Sequence, residues 1–298
     1  MSSQRTVHVP VMAHEVLAEL ALQPDLVIVD GTLGAGGHSQ QILSRMSSSC
    51  RLIGLDRDPT MLRRAAQVLQ DSRVELRCSS YAQLDQVLDE LQIPQIDRLL
   101  VDLGLSSDQL ADPHRGFGFE TAGPLDMRFD LESGRSAAEL LATADAAELA
   151  DIFMKYGEEP LAQKIAEAIV TERRAGQGIT LASQLKQLIE RLSPVIKGKS
   201  HPATRVFQAL RIAVNQELEQ LQTLLDDVLV RRLKPGGRAL VITFHSLEDR
   251  LVKQAFRDVT LWNNLTRKPL TAAPSEVRWN PRSRSAKLRV AERTENMP

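Results

Sequence analysis

A glycine-rich stretch follows the first strongly apolar run of the chain, and its residue types suit a nucleotide-like ligand. The apolar run ends at Asp30, and Gly34, Gly36 and Gly37 come after it. Glycines permit a tight turn and close approach of the backbone to a ligand, while the amide groups of the following helix face that ligand. A glycine-rich turn can also merely close a strand-to-helix loop, so on its own it is weak evidence.

A carboxylate after the next apolar run strengthens this interpretation. Asp56 ends that run, about 20 residues farther on, where an acid can accept both hydrogen bonds of a ribose diol. NAD and S-adenosylmethionine both carry such a ribose. NAD sites favour GxGxxG or GxGxxA, whereas Ser39 holds the last position here. Because serine is small, this difference is only a weak argument against an NAD site.

A third polar segment, VDLGLSS at 101–107, leaves a fourth apolar run at its carboxyl end. Open α/β sheets bind their ligands at this edge, so Asp102 and Ser106 are expected to face the same crevice.

Alternating strands and helices position these residues. Short apolar runs predict buried parallel strands at 26–30, 51–56, 74–78 and 97–104, with helices at 38–45, 59–69 and 82–91 between them. A long helix at about 203–232 then leads through a KPGG turn to the strand RALVITF, a further helix, a surface excursion at 263–285 and a final strand in SAKLRVAER. We therefore predict an α/β fold with a Rossmann-like, mostly parallel sheet.

Residues 109–202 do not continue the alternation. A loop-like segment gives way to helical patterns at 137–154, 160–174 and 181–192, which predicts an inserted helical domain. The chain then divides into a core at 1–108, the insert at 109–202 and the rest of the core at 203–298.

Composition sets broad limits. The 298 residues carry a net charge of −1 and are 43% hydrophobic, so a basic surface has to be local. With only two cysteines, we expect a reducing, cytoplasmic location. Since no apolar run has membrane-spanning length, we expect no membrane role. None of the six histidines has metal-ligand spacing, so we expect no metal.

Two basic runs are candidate phosphate contacts. The first, at 191–211, has Arg191, Lys197, Lys199, Arg205 and Arg211 without an acid, and the second has Arg278, Arg282, Arg284, Lys287 and Arg289. His245 follows the fifth predicted strand and is a candidate to face the substrate, while Ser246 to Asp249 reads as a capping box.

Several long motifs together resemble one family. DGTLGAGGHS, LDRDP, DLGLSSDQL, RGFGF, GPLDMR, YGEE, HPATRVFQALRIAVNQEL and KPGGRALVITFHSLEDR are similar to those of the bacterial ribosomal RNA small-subunit methyltransferase H family, also called MraW. The resemblance runs from about His8 to RVAERT near the carboxyl terminus.

This resemblance implies a class I S-adenosylmethionine-dependent methyltransferase whose inserted helical domain recognises substrate. It implies methylation of the exocyclic N4 of a cytidine in the decoding region of 16S rRNA, within the small ribosomal subunit. Carried over by position, the cofactor contacts are Gly36, Gly37, His38, Asp56, Tyr81, Asp102 and Gln109. The residues expected to meet the substrate are Ser106, Arg205, Arg211 and His245.

The turn at Asp102 differs from a common amino-methyltransferase motif. Many such enzymes have (D/N/S)PP(F/Y), in which the aromatic side chain stacks on the base, whereas Asp102 is followed by Leu-Gly-Leu-Ser. Stacking must therefore come from elsewhere; Phe117, Phe119 and Arg128 are weak candidates, and no general base is assigned.

C5 methylation of cytosine needs a cysteine nucleophile, but neither cysteine is near the fourth run. The alternatives are an NAD oxidoreductase and a non-catalytic RNA-binding assembly factor.

Overall fold

The computed structural model describes residues 10–120, 123–196, 198 and 200–295. Its contacts divide the chain into two compact units. The first comprises the described residues up to Gly104 and from Leu218 onward, and the second comprises Leu105–Glu217. The sequence places the helical insert at 109–202, so this unit extends farther at both ends; its assignment to substrate recognition stays a prediction.

The first unit contains the sheet. In the described part of the chain the strands are β1 Val27–Asp30, β2 Arg51–Asp56, β3 Val74–Cys78, β4 Ile96–Asp102, β5 Leu233–Thr243, β6 Trp262–Asn264, β7 Leu270–Thr271 and β8 Lys287–Arg293. Their order is β3-β2-β1-β4-β5-β8-β6, and β7 also pairs with β8. Neighbours from β3 to β5 are parallel, whereas β8 is antiparallel to its three partners. The predicted fold class is confirmed.

The central strands β1, β2 and β4 are buried on both faces over most of their length, as their nearly continuous apolar sequences require. Successive residues alternate between faces, so that Val29 and Leu99 belong to one apolar cluster while Ile28 and Leu100 belong to another.

Helices cover the sheet and form most of the second unit. Before Gly104 they are α1 Ala13–Leu20, α2 Gly37–Leu43, α3 Pro59–Val68 and α4 Leu84–Glu90. The second unit has α5 Ser107–Ala111, α6 Ala137–Thr143, α7 Ala146–Gly157, α8 Ala162–Arg174, α9 Ala182–Leu192 and α10 Ala203–Asn215. The chain continues through α11 Glu217–Thr223, a π-helical turn at Leu224–Val228, α12 Leu229–Arg232, α13 Ser246–Ala255 and α14 Pro274–Trp279.

Two predicted helices are interrupted in the structure. The pattern at 137–154 forms two helices because Asp145 caps α7, its side chain accepting from the amide of Glu148 at 2.9 Å. The pattern at 203–232 breaks at Gln216, which has the left-handed angles φ 53° and ψ 42°.

The KPGG segment lies within β5 rather than before it. Ile96 pairs with Leu233, but Arg98 pairs with Arg238, so residues 234–237 bulge out of the ladder. Among the described residues, no helix has the length and apolarity needed to cross a bilayer.

Candidate cofactor site

The strand order of the parallel part of the sheet reverses at β1. The chain proceeds outward from β1 to β3 and then returns to place β4 on the other side of β1. In doubly wound sheets the ligand crevice lies at the carboxyl ends of the strands at this point. Asp30 and Asp102 end β1 and β4, and Asp56 ends β2. The fold therefore brings three carboxyl groups to the predicted edge.

Asp56 holds the glycine-rich turn. One carboxylate oxygen accepts from the amide of Gly34 at 2.7 Å, and the other accepts from the amide of Asp58 at 2.8 Å. Gly34 has a φ of 54°, a left-handed conformation that a side chain would strain. Burial raises the pKa of the Asp56 carboxyl to about 6, against the opposing effect of these two amide bonds. Each oxygen keeps a second lone pair for a ribose hydroxyl.

Ser39 has a structural role that its sequence position did not suggest. Its buried hydroxyl donates to Asp30 at 2.7 Å, and Asp30 itself is only 1% exposed. Burial raises the pKa of the Asp30 carboxyl, while the Ser39 hydrogen bond lowers it. A glycine here, as in a dinucleotide site, would remove this partner.

A hydroxyl and an imidazole connect the turn to the end of β4. The amide of Asp102 donates to Oγ1 of Thr32 at 2.6 Å. Nε2 of His38 lies 3.6 Å from a carboxylate oxygen of Asp102, and within the described residues this buried nitrogen has no hydrogen-bond partner. A buried polar atom without a partner, beside a carboxylate, indicates a place for a polar ligand group.

Tyr81 lies against the glycine-rich turn. It begins a 3-10 turn after β3 and is 8% exposed. A Cβ placed on Gly31 would be 3.1 Å from the Cβ of Tyr81. The glycine-rich turn and the segment after β3 are therefore in close contact here.

An aromatic ring that the sequence analysis missed covers the turn after β4. A Cβ on Gly104 would be 2.7 Å from Cε2 of Phe244, which follows β5 and is half-buried. The β4–β5 ladder continues here, because the amide of Leu103 donates to the carbonyl of Ile242 at 3.1 Å. The sequence contained a signal for this contact, because a phenylalanine lies at the end of one predicted strand and a glycine at the end of another.

Gln109 and Ser106 form a capping box in the second unit. The Ser106 hydroxyl accepts from the amide of Gln109, and the Gln109 side chain accepts from the amide of Ser106, each at 3.0 Å. Both side chains stabilise the start of α5. Their predicted contacts with cofactor and substrate stay predictions.

His245, not Ser246, caps α13, which corrects the predicted capping box. Its Nδ1 accepts from the amide of Glu248 at 3.4 Å, and the Glu248 carboxylate accepts from the amides of Phe244 and His245. Nε2 of His245 is 2.9 Å from the other Glu248 oxygen but makes no hydrogen bond of suitable geometry with the described part of the chain. The role of His245 towards substrate stays a prediction.

The structure changes the reading of the two basic runs. Arg211 is held by Glu217 at 2.8 and 2.9 Å and Arg191 pairs with Glu172, whereas Arg205 is exposed. Lys197 and Lys199 lie outside the described residues. In the second run, Lys287 and Arg289 both bond Asp249, and Arg289 is 4% exposed, so these two are structural.

The weak stacking candidates pack internally. Phe117 stacks on Phe129 with ring centres 5.6 Å apart, and Phe119 stacks on His201 at 4.6 Å. Arg128 makes bidentate hydrogen bonds to the Asp126 carboxylate at 3.0 and 2.8 Å. These contacts explain the three side chains without a bound base.

Fold and site together define a class I S-adenosylmethionine-dependent methyltransferase. The doubly wound sheet has an antiparallel strand beside β5, and Asp56 joins the glycine-rich turn to the end of β2. The chain belongs to the MraW methylase family, whose model matches residues 5–294. This membership excludes the NAD oxidoreductase, and the methyl donor is S-adenosylmethionine.

Similar proteins match along nearly their whole length. Ribosomal RNA small subunit methyltransferase H of Methylobacillus flagellatus is 45% identical, in an alignment covering 98% of this chain and 96% of the relative. The protein of the same name from Thiobacillus denitrificans is 46% identical, with 96% and 97% covered. That of Thermomicrobium roseum is 45% identical, with 97% and 94% covered.

Proposed function

We propose that the protein methylates the exocyclic N4 of a cytidine in the decoding region of 16S rRNA, within the small ribosomal subunit and in the cytoplasm. The names of its relatives support small-subunit ribosomal RNA as the substrate. The proposed chemistry rests on one observation. At the ends of β4 and β5, the Phe244 ring covers the turn that follows Asp102.

The residues at the strand ends fit the cofactor. Asp56 would accept from the ribose hydroxyls, and Tyr81 would lie along the adenine. Asp102 and the unpartnered nitrogen of His38 would hold the polar methionine end. When bound, S-adenosylmethionine supplies a methyl group on a positively charged sulfur, which an amine attacks directly with loss of one proton.

The cytosine amine needs both positioning and acceptors. Its nitrogen lone pair is delocalised into the ring, so acceptors must hold the amine hydrogens while the nitrogen pyramidalises. Oxygens of the Asp102–Gly104 segment are suited to this task, and Phe244 supplies the stacking surface that the turn itself lacks. We assign no general base, so the proton leaves to solvent.

The positions of the cysteines disfavour C5 methylation. Cys78 ends β3 at the edge of the sheet, and Cys50 is buried before β2. β1 and β2 separate the β3 strand from β4. A covalent attack on C6 of the base therefore has no nucleophile at the proposed site.

Transfer of a labelled methyl group tests the proposal and identifies the substrate form. Unmodified 16S rRNA and unmodified small subunits are incubated with protein and trideuteromethyl donor, and digested nucleosides are separated by chromatography with mass detection. We expect labelled N4-methylcytidine. Labelled 5-methylcytidine would refute the assigned atom, and RNA binding without label in either substrate would indicate a non-catalytic assembly factor. Asp56→Ala serves as the cofactor-site control and should reduce labelling strongly.

We further propose that the second unit recognises the RNA. Arg205 and Arg191 are both exposed arginines of the predicted basic run, but Arg191 pairs with Glu172 and Arg211 with Glu217, whereas Arg205 reaches a backbone carbonyl, that of Glu158, at 3.4 Å. Arg205→Glu should therefore raise KM for RNA more than it changes kcat.

A further inference from the structure

The segment between β6 and β8 presents an almost purely positive surface. We call residues 265–285 the basic excursion. It contains one acid, Glu276, which is 8% exposed and accepts from the amide of Met12 at 2.9 Å. The basic side chains of the excursion are Arg267, Lys268, Arg278, Arg282 and Arg284. In a chain with net charge −1, this is a marked local concentration.

The excursion also exposes a tryptophan. Trp279 ends α14 and is 58% exposed, whereas the other tryptophan of the chain, Trp262, is 2% exposed. An indole left in water costs hydrophobic free energy that burial would recover, and exposed aromatic residues beside cations are typical of interaction surfaces.

Two arginines flank this indole along the chain. Arg278 and Arg284 are both exposed, and neither makes an ion pair or side-chain hydrogen bond with the residues that the structure describes. They differ in this from Lys287 and Arg289, which Asp249 neutralises. Their charges therefore remain available to a partner.

Hydrogen bonds fix the backbone that carries these exposed side chains. Glu276 ties α14 to the residue before α1, and its carbonyl accepts from the amide of Asn280 at 2.7 Å. Ser283, only 1% exposed, donates to the carbonyl of Asn280 at 2.8 Å. The backbone that carries Trp279 is thus fixed before any partner binds, which lowers the entropic cost of binding.

We infer that Arg278, Trp279 and Arg284 form a binding surface for an unpaired RNA segment. Guanidinium groups contact phosphates, and an indole stacks on any unpaired base, the combination that single-stranded RNA sites use. The inference rests on the proposed function, because the substrate proposed there is an RNA. It adds a contact outside the cofactor site, one that anchors the substrate rather than the reacting base.

Fluorescence gives a direct test, since Trp279 is the exposed one of two tryptophans. Titration with an unstructured oligoribonucleotide should quench and shift the wild-type emission. Trp279→Phe should abolish this response while keeping most of the RNA affinity, and Trp279→Ala should weaken binding at least about fivefold, as loss of one stacked base predicts. No change in emission at saturating RNA would overturn the inference.

Charge reversal provides the second test. Arg278→Glu with Arg284→Glu should raise KM for unmodified small-subunit RNA about tenfold, change kcat less than about twofold, and lower the salt slope of binding by about 1.5. Arg45→Glu with Arg51→Glu is the matched control, because both arginines are exposed and Arg51 begins β2 at the opposite end of that strand from Asp56. Equal effects of the two double variants would overturn the inference.

Two further outcomes separate this inference from the proposed function. If the wild type binds RNA through Trp279 but transfers no methyl group, the proposed function fails and the RNA surface stands. If a poly-glutamate peptide, and not the oligoribonucleotide, changes the Trp279 emission, the surface belongs to an acidic protein and the inference is wrong.

Discussion

At the scale of residues, the cofactor edge depends on acids whose burial is offset by specific hydrogen bonds. Asp30 and Asp56 both have raised pKa values because they are buried, and each is held by donors from the glycine-rich turn. The hydrogen bonds of the turn lower the pKa of both carboxyl groups, against the larger and opposite effect of burial.

Ser39→Ala should destabilise the fold by about 1 to 3 kcal/mol, because it leaves a buried carboxyl without its side-chain donor. Since the pKa of Asp30 is raised on folding, its contribution to stability is present at acid pH and is lost as the pH rises through the folded-state pKa. Removing the Ser39 bond raises that pKa further, so the destabilisation should grow as the pH rises. Urea unfolding across a series of pH values measures it.

Ser44→Ala is the matched control for this prediction. Ser44 is exposed, and its hydroxyl donates only to the nearby carbonyl of Gln41 at 2.8 Å. Its loss should cost less than about 0.5 kcal/mol. Equal destabilisation by the two substitutions would contradict the role given to Asp30 and Ser39.

Cofactor affinity should depend on pH through Asp56. With a pKa of about 6, this carboxyl is protonated in acid and then accepts ribose hydrogen bonds poorly. Affinity should be constant above about pH 7 and weaken below pH 6, by up to about tenfold per pH unit. Calorimetric titration between pH 5 and 8 measures it. Asp56→Asn should bind weakly without this inflection, whereas exposed Asp151→Asn should keep it; an inflection that survives in Asp56→Asn would refute the assignment.

At the scale of elements, parallel pairing of β4 with β5 brings together residues that are far apart in sequence. Gly104 and Phe244 meet only because both strands end at the same edge. In the proposed function, the Phe244 ring takes the place of the aromatic side chain that the (D/N/S)PP(F/Y) motif carries within a single turn.

Phe244→Leu should lower kcat/KM for RNA at least about fivefold, because one base loses its stacking partner, while Phe244→Tyr should retain most activity. Cofactor affinity should change less than about twofold in both. Gly104→Ala should resemble Phe244→Leu, since the added methyl group would meet the ring at 2.7 Å. Gly178→Ala, at a position with nothing within 4 Å, is the control. Normal methylation by Phe244→Leu would exclude stacking of the target base on the Phe244 ring.

Elements with continuous local signals were predictable, and those set by distant contacts were not. The apolar runs ending at Asp30, Asp56 and Cys78 became strands as predicted. The break at Gln216 and the bulge at residues 234–237 were missed, because a left-handed residue other than glycine and a register shift have no clear sequence pattern. The cap of α13 was misplaced by one residue, since serine is the commoner cap.

At the scale of the whole molecule, the sequence predicted which edge of the sheet the acidic strand ends share but not how these groups are connected. The positions of Asp56 and Asp102 followed from parallel strands ending together. The bonds of Thr32 to Asp102 and of Ser39 to Asp30, and the ring of Phe244, required the folded chain. The same holds for charge: the sequence showed the basic run from Arg278 to Arg289, but only the folded chain shows that Glu276 turns inward and that Lys287 and Arg289 pair with Asp249.

The proposed function requires methyl transfer to N4 of a decoding-region cytidine. The most direct test is to map the trideuteromethyl label on small subunits by digestion into RNA fragments and mass spectrometry of each fragment. We expect label on one cytidine of the decoding region, at N4, and almost none with Asp56→Ala. Label elsewhere in the rRNA, or on C5 or the ribose of that nucleotide, would contradict it.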